Sequence, residues 1–236
     1  MSVIPVRDNR LLARRASEDA RQYVYRVIRH CILEFFLAPG QKMNEIALAE
    51  SLDVSRTPVH DTFFKLSREN MVDIFPKRGA FVSKISCQRI ENAIWSHTQL
   101  GTSMLHSIYI KEVSRSRLES LYYPLHQLDD LLGHGDLTPA SRLLTEYYKN
   151  LYRLAGDMDL VWDSLQKTDV DLRRLIYLAT SSPTVVEAFI YELTSLTDAL
   201  VARDSDRACR IYASHLSRMR LLLPPLKQHN PEYFVD

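Results

Sequence analysis

Asp53-Val54-Ser55-Arg56-Thr57-Pro58-Val59-His60 places hydroxyls, a cation and a proline where a helix would begin. A serine at that point can accept from a backbone N–H that the first turn leaves unpaired. Pro58 is tolerated there because its missing N–H has no helical partner. Arg56 and Thr57 then project from the positive end of a helix dipole, which receives a phosphate or a base edge well. The chemistry is recognition of a polyanion, with no bond broken. A second cationic point, Lys77-Arg78, stands before Gly79. Side chains for catalysis are not set out in any familiar pattern. The chain has no glycine-rich phosphate loop, no Cys-x-x-Cys, no Gly-x-Ser-x-Gly and no His-Glu-x-x-His. Asp169 and Asp171 lie two apart and point to different helix faces, which makes a poor acid/base or metal pair. An enzyme is not expected.

The elements that would position Arg56 follow from periodicity and punctuation. Residues 1–16 form a polar arm. A helix is expected from Ser17, as its cap, to about Leu37, with Val24, Ile28, Cys31 and Phe35 on one face and Pro39-Gly40 as its stop. A second is expected over 44–52 with Ile46, Leu48, Ala49 and Leu52 inward, and a third from Ser55 to about Glu69 with Val59, Phe63 and Leu66 inward. Two strands, 71–75 and 80–85, flank Pro76-Lys77-Arg78-Gly79 as a hairpin. Three helices and a basic two-stranded wing make a winged helix-turn-helix over residues 17–86, with the third helix suited to the major groove.

From residue 87 the pattern is helical. Helices are expected near 87–111, 114–133, 138–155, 158–178, 182–202 and 204–222, with Pro224-Pro225 ending the last. About six helices with short connections make an all-α bundle over 87–224, followed by a tail at 225–236. The fold class is mostly α.

Composition agrees with two such modules. Apolar residues make up 46% and charged residues 25% of the 236 residues. The net charge of +1 conceals a division: residues 1–86 hold 14 Lys and Arg against 10 Asp and Glu, and the remainder holds 16 against 19. A basic front and an acidic back suit a nucleic-acid module joined to something else. Cys31, Cys87 and Cys209 are odd in number and far apart, which argues for a reducing compartment and against a cysteine zinc site. The first fifteen residues carry charges without an apolar core, and no run reaches the ~18 apolar residues of a membrane helix. A cytoplasmic protein without a membrane partner is expected.

Leu37-x-Pro39-Gly40, Asn44-Glu45, Leu48-Ala49, Val54-Ser55-Arg56-Thr57-Pro58-Val59 and the wing Gly79-x-x-Val82 together resemble the GntR superfamily of bacterial transcription regulators. The helical half, with Ala199-Leu200, Asp204, Ala208 and His215-Leu216, resembles the ligand-binding domain of its FadR-like branch, called FCD. The resemblance implies a homodimer on a short inverted repeat of double-stranded DNA, more often repressing than activating, whose affinity responds to a small metabolite. It implies DNA contact by Ser55, Arg56, Thr57, His60, Lys77, Arg78 and Gly79. Ile46 and His60 stand where the family commonly has arginines that touch DNA. They keep open an alternative, a helical dimerisation scaffold whose winged helix no longer reads sequence.

Many members of that branch bind a divalent metal through an aspartate, a histidine four residues on and two later histidines. Matching the helix ends puts Leu144, Tyr148 and Leu193 at the first three positions, and only His215 keeps a ligand. No metal and no other cofactor is therefore expected. His215 lies on the stripe Ala208, Ile211, Tyr212 and Met219, and Tyr148 on that of Leu144, Leu151 and Ala155. His97, where the family often has a pocket arginine, joins Tyr148, His215, Leu144 and Leu193 as the expected effector pocket.

Overall fold

The computed structural model describes residues 12–156 and 158–235. The chain divides into two compact units, one of residues up to Ser86 together with Asn230 onward, the other Cys87–His229. Residues 1–11 of the expected arm lie outside the described residues. In the rest of the arm Leu12 is fully buried and residues 13–16 are exposed, with the Ala13 carbonyl accepting from Arg26 at 2.8 Å.

The first unit contains helices α1 (Ala20–Leu33), α2 (Glu45–Leu52) and α3 (Arg56–Arg68), and strands β1 (Lys42–Met43), β2 (Val72–Phe75), β3 (Gly79–Val82), β4 (Ile85–Ser86) and β5 (Phe234–Val235). Asp19, rather than Ser17, caps α1. Its carboxylate accepts from the Gln22 N–H while the Gln22 side chain accepts from the Asp19 N–H. The helix stops at Leu33, short of the expected Leu37, and Phe35 takes a positive φ of 58°. Asn44 caps α2, and Asp53 in the left-handed region turns the chain into α3. Val24, Ile28, Cys31, Leu48, Leu52, Val59, Phe63 and Leu66 close the core between the three helices. Ile46, expected inward, is 50% exposed, because it sits roughly a third of a turn from the Leu48–Ala49–Leu52 stripe.

The wing is a three-stranded antiparallel sheet in the order β1-β3-β2, with Lys42 opposite Phe81 and Phe75 opposite Gly79. The two-residue β1 is too short to announce itself by alternation. β4 and β5 form a separate parallel pair, Ile85 beside Phe234 and Ser86 beside Val235. The expected tail of 225–236 is therefore divided: from Asn230 it closes the first unit, with Phe234 buried and the Tyr233 ring 5.5 Å from Phe35.

The second unit comprises α4 (Cys87–Ile110), α5 (Arg115–Glu119), α6 (Tyr122–His134), α7 (Ala140–Leu154), α8 (Asp159–Thr168), α9 (Val170–Ala179), α10 (Pro183–Val201), α11 (Ser205–Arg218) and α12 (Leu223–His229). Three helix expectations need correction. The segment 114–133 breaks at Ser120–Leu121, because Pro124 has no N–H to offer the Ser120 carbonyl. The segment 158–178 breaks at Asp169, which ends α8 and begins α9. Pro224-Pro225 does not end the helical chain but lies in the first turn of α12, where missing N–H groups cost little. Tyr147, Leu151, Leu175, Leu193, Leu196 and Tyr212 fill the interior.

Candidate nucleic-acid interface and buried polar core

Helix α3 presents two unlike faces. Val59, Thr62, Phe63 and Leu66 are buried, whereas Ser55, Arg56, Thr57, His60, Phe64, Lys65 and Arg68 are exposed. Ser55 stands at the cap position but makes no capping hydrogen bond with its side chain, contrary to expectation. The fold at this end is held instead by Glu45, at the start of α2. Its carboxylate accepts from His60 Nδ1 at 2.9 Å and pairs with Arg56 Nη2 at 3.7 Å. Glu45 thus holds two of the four cation-capable groups on the exposed face, Arg56 and His60. From the far end of α3, Glu69 takes the Tyr25 hydroxyl at 2.8 Å and pairs with Arg29 at 3.6 Å, tying α3 to α1.

The wing turn runs Phe75-Pro76-Lys77-Arg78, closed by the Arg78 N–H on the Phe75 carbonyl at 3.1 Å. Pro76 presets the second residue of such a turn, and the third requires positive φ. Lys77 supplies 63° and Gly79 follows at 96°, a value only glycine adopts readily. The Arg78 guanidinium lies 5.5 Å from the Phe75 ring centroid and the Lys42 ammonium 6.0 Å from that of Phe81. Lys42 is a third wing cation that sequence reasoning missed, because the strand carrying it went unrecognised.

In the second unit Tyr148 and His215 do meet. The Tyr148 hydroxyl, held protonated by burial well above the ordinary tyrosine range, donates to His215 Nε2. His215 Nδ1 then donates to Glu192 at 2.5 Å, and the same carboxylate pairs with Arg218 at 2.8 Å. Leu144 and Leu193 are buried beside this line, and the Leu193 carbonyl accepts from Tyr147 at 3.1 Å. Glu192 was missed, although an acid at i+3 from Phe189 and i−4 from Leu196 falls on the inward stripe of α10. A metal of the family's kind does not fit these residues. Two of its expected positions are leucines, a third is a neutral tyrosine, and both nitrogens of His215 face protein partners.

His97 is buried but has a different partner, Asp169 Oδ2 at 3.1 Å. The second oxygen of Asp169 and the hydroxyls of Tyr152 and Tyr212 are buried without a hydrogen-bond partner. The two tyrosines are neighbours short of hydrogen-bond geometry, and burial pushes Tyr152 up to about 12. Asp171, facing elsewhere, pairs with Arg174 and with Arg89 at 2.5 Å. Two open grooves lie elsewhere. One of about 420 Å³ runs along Ser96, Leu100, Leu160 and Leu165, and one of about 350 Å³ along Asp136, Thr138, Tyr177 and Thr180. Neither is lined by His97, Tyr148 or His215.

Two family models account for these units. Residues 20–82 match the model of bacterial regulatory proteins of the gntR family, and residues 108–218 match the FCD domain. The protein belongs to the GntR family. It is a transcription regulator with a DNA-binding domain of GntR type and an FCD effector-binding domain. Over 220 residues it is 24% identical to the HTH-type transcriptional repressor RspR of Escherichia coli K12, covering 93% of this chain and 96% of that protein. An HTH-type transcriptional regulator from an unstable DNA locus of Streptomyces ambofaciens is 27% identical over 219 residues, covering 91% and 89%. Among solved structures, E. coli McbR/YncC superposes with a TM-score of 0.74 at 17% identity, over 90% of this chain and 99% of that one. A GntR regulator from Rhodococcus sp. RHA1 gives 0.70 at 18% identity, over 85% and 95%. Relatives of this kind along the whole length do not favour the scaffold alternative. Among the described residues no helix is long and apolar enough to cross a membrane.

Proposed function

We propose that the protein is a cytoplasmic, homodimeric repressor without enzymatic activity, which binds a short inverted repeat through α3 and the wing. The observation that carries this reading is the exposed row Ser55-Arg56-Thr57-His60, fixed from α2 by Glu45 and accompanied by a wing bearing Lys42, Lys77 and Arg78. Arg56 reads a guanine edge, Ser55 and Thr57 contact base or phosphate, and the wing cations with the Gly79 backbone follow the phosphates. A small metabolite bound within the FCD domain shifts the operator affinity by its unequal affinity for the two states of the regulator.

That ligand binds without a metal. His215 is already engaged by Tyr148 and Glu192, and Leu144 and Leu193 offer no lone pair, so the ligand is held by hydrogen bonds and packing rather than through a bound cation. The test is binding of the full chain to its own promoter region across a salt series. Arg56→Ala is expected to weaken binding by roughly five- to 150-fold, the loss of one bidentate base contact. Unchanged binding by this variant would remove α3 as the reading element.

A further inference from the structure

The outward ridge of α3 is not uniformly polar. Thr57, His60 and Phe64 recur at the three- and four-residue spacing that puts side chains on one helical face. Phe64 is 49% exposed, while its neighbour Phe63 supplies the core contact. The ring is not loose. Its centroid lies 4.9 Å from that of His60 at an interplanar angle of 74°, and His60 is in turn held by Glu45. A phenyl ring half in water, held beside His60 on the outward face of α3, presents an apolar surface among polar groups.

Resting on the DNA-binding reading above, we propose that Phe64 is a specificity-determining residue that packs on the 5-methyl group of a thymine in each operator half-site. Within the major groove the thymine methyl is the apolar feature that distinguishes base edges, and phenylalanine is among the side chains that contact it. Ile46, also exposed, stands next to Glu45 at the start of α2 and is a second apolar side chain open to solvent. The apolar pair offers shape rather than charge. Affinity then depends less on salt and more on where the thymines fall, because neither side chain neutralises a phosphate.

The experiment uses duplexes enriched by the full-length protein from a randomised pool. Each thymine of the selected site is replaced in turn by deoxyuridine, which removes the methyl group and leaves base pairing intact. One position per half-site is expected to lose about fourfold in affinity, the factor for burying one such carbon. Phe64→Ala should bind the thymine and uracil duplexes equally, while Phe64→Leu, which keeps an apolar side chain, should retain a preference. Thermal unfolding of both variants verifies that the fold is intact. Equal affinity of the wild type for every uracil duplex would overturn the proposal, as would full discrimination by a folded Phe64→Ala. A contact with sugar or with another protein would show itself by the first of these. If Phe64→Ala is unstable, Phe64→Gln, which fills space with a polar side chain, takes its place. It should bind thymine and uracil duplexes equally, and full discrimination by it would overturn the proposal. Failure of the wild type to enrich any duplex would instead refute DNA binding itself.

Discussion

Glu18 and Arg26 show how much a single pair outside the recognition row contributes to this chain. The Glu18 carboxylate accepts from Arg26 Nε at 2.5 Å and from the Arg15 N–H, and the Arg26 bond holds its pKa down to about 2 from an ordinary 4.5. A carboxyl group depressed in the folded state stabilises it above the ordinary pKa, and that contribution is lost as pH falls through the folded value. The first unit is therefore expected to lose stability between about pH 4.5 and 2, by about 1 kcal/mol for a part-buried pair at the surface of the unit. Glu18→Gln should flatten that part of the pH–stability curve, and an unaltered slope would show that other carboxylates set it. At this scale the sequence was most legible where a side chain's role is local. Arg56 announced itself by its position in the motif, whereas Glu45, Asp169 and Glu192 act across 15, 72 and 23 residues of sequence. Nothing in a local pattern encodes such a separation.

Elements were legible in proportion to their length and punctuation. α3, α7 and α10 show clear stripes, and the wing turn carries Pro76 and Gly79. The break at Ser120–Leu121 was also written in the chain, in Pro124, but was outweighed by the apolar rhythm around it. The break at Asp169 was not written, since no glycine or proline stands there and the carboxylate turns inward to His97. β1 and β4 are two residues each and exist only by pairing. Between α4 and α11, Gly101 makes room for a tyrosine: a Cβ there would collide with the Tyr212 ring. Gly101→Ala gains roughly 1 kcal/mol of helix propensity. Overpacking of a fully buried ring costs roughly 1–3 kcal/mol, so a net loss is expected. Urea unfolding followed by Trp95 and Trp162 fluorescence, both in the helical unit, measures it. A stabilised variant would mean that Tyr212 moves aside freely.

For the whole molecule, the two units follow the division between a basic front and an acidic back, but the path of the chain does not. After α12 it returns to the first unit, where Phe234 is buried and Ile85, its strand partner, is fully covered. Phe234→Ala is expected to cost the first unit about 3 kcal/mol, the usual penalty for truncating a buried phenyl ring. Hydrogen exchange along α1 and α3 would rise, while exchange in α7 and α10 would not. Equal acceleration in both units would show that they unfold together. The same strand pair sets an order in time. A protein is made from its N-terminus, and domains completed early usually fold early. Here the helical unit lies in the chain between β4 and β5, so the DNA-binding unit receives its last strand only when the whole effector domain has been translated. A ribosome stalled within the helical unit, after α3 but before residue 234, carries a recognition helix on a unit still missing its closing strand.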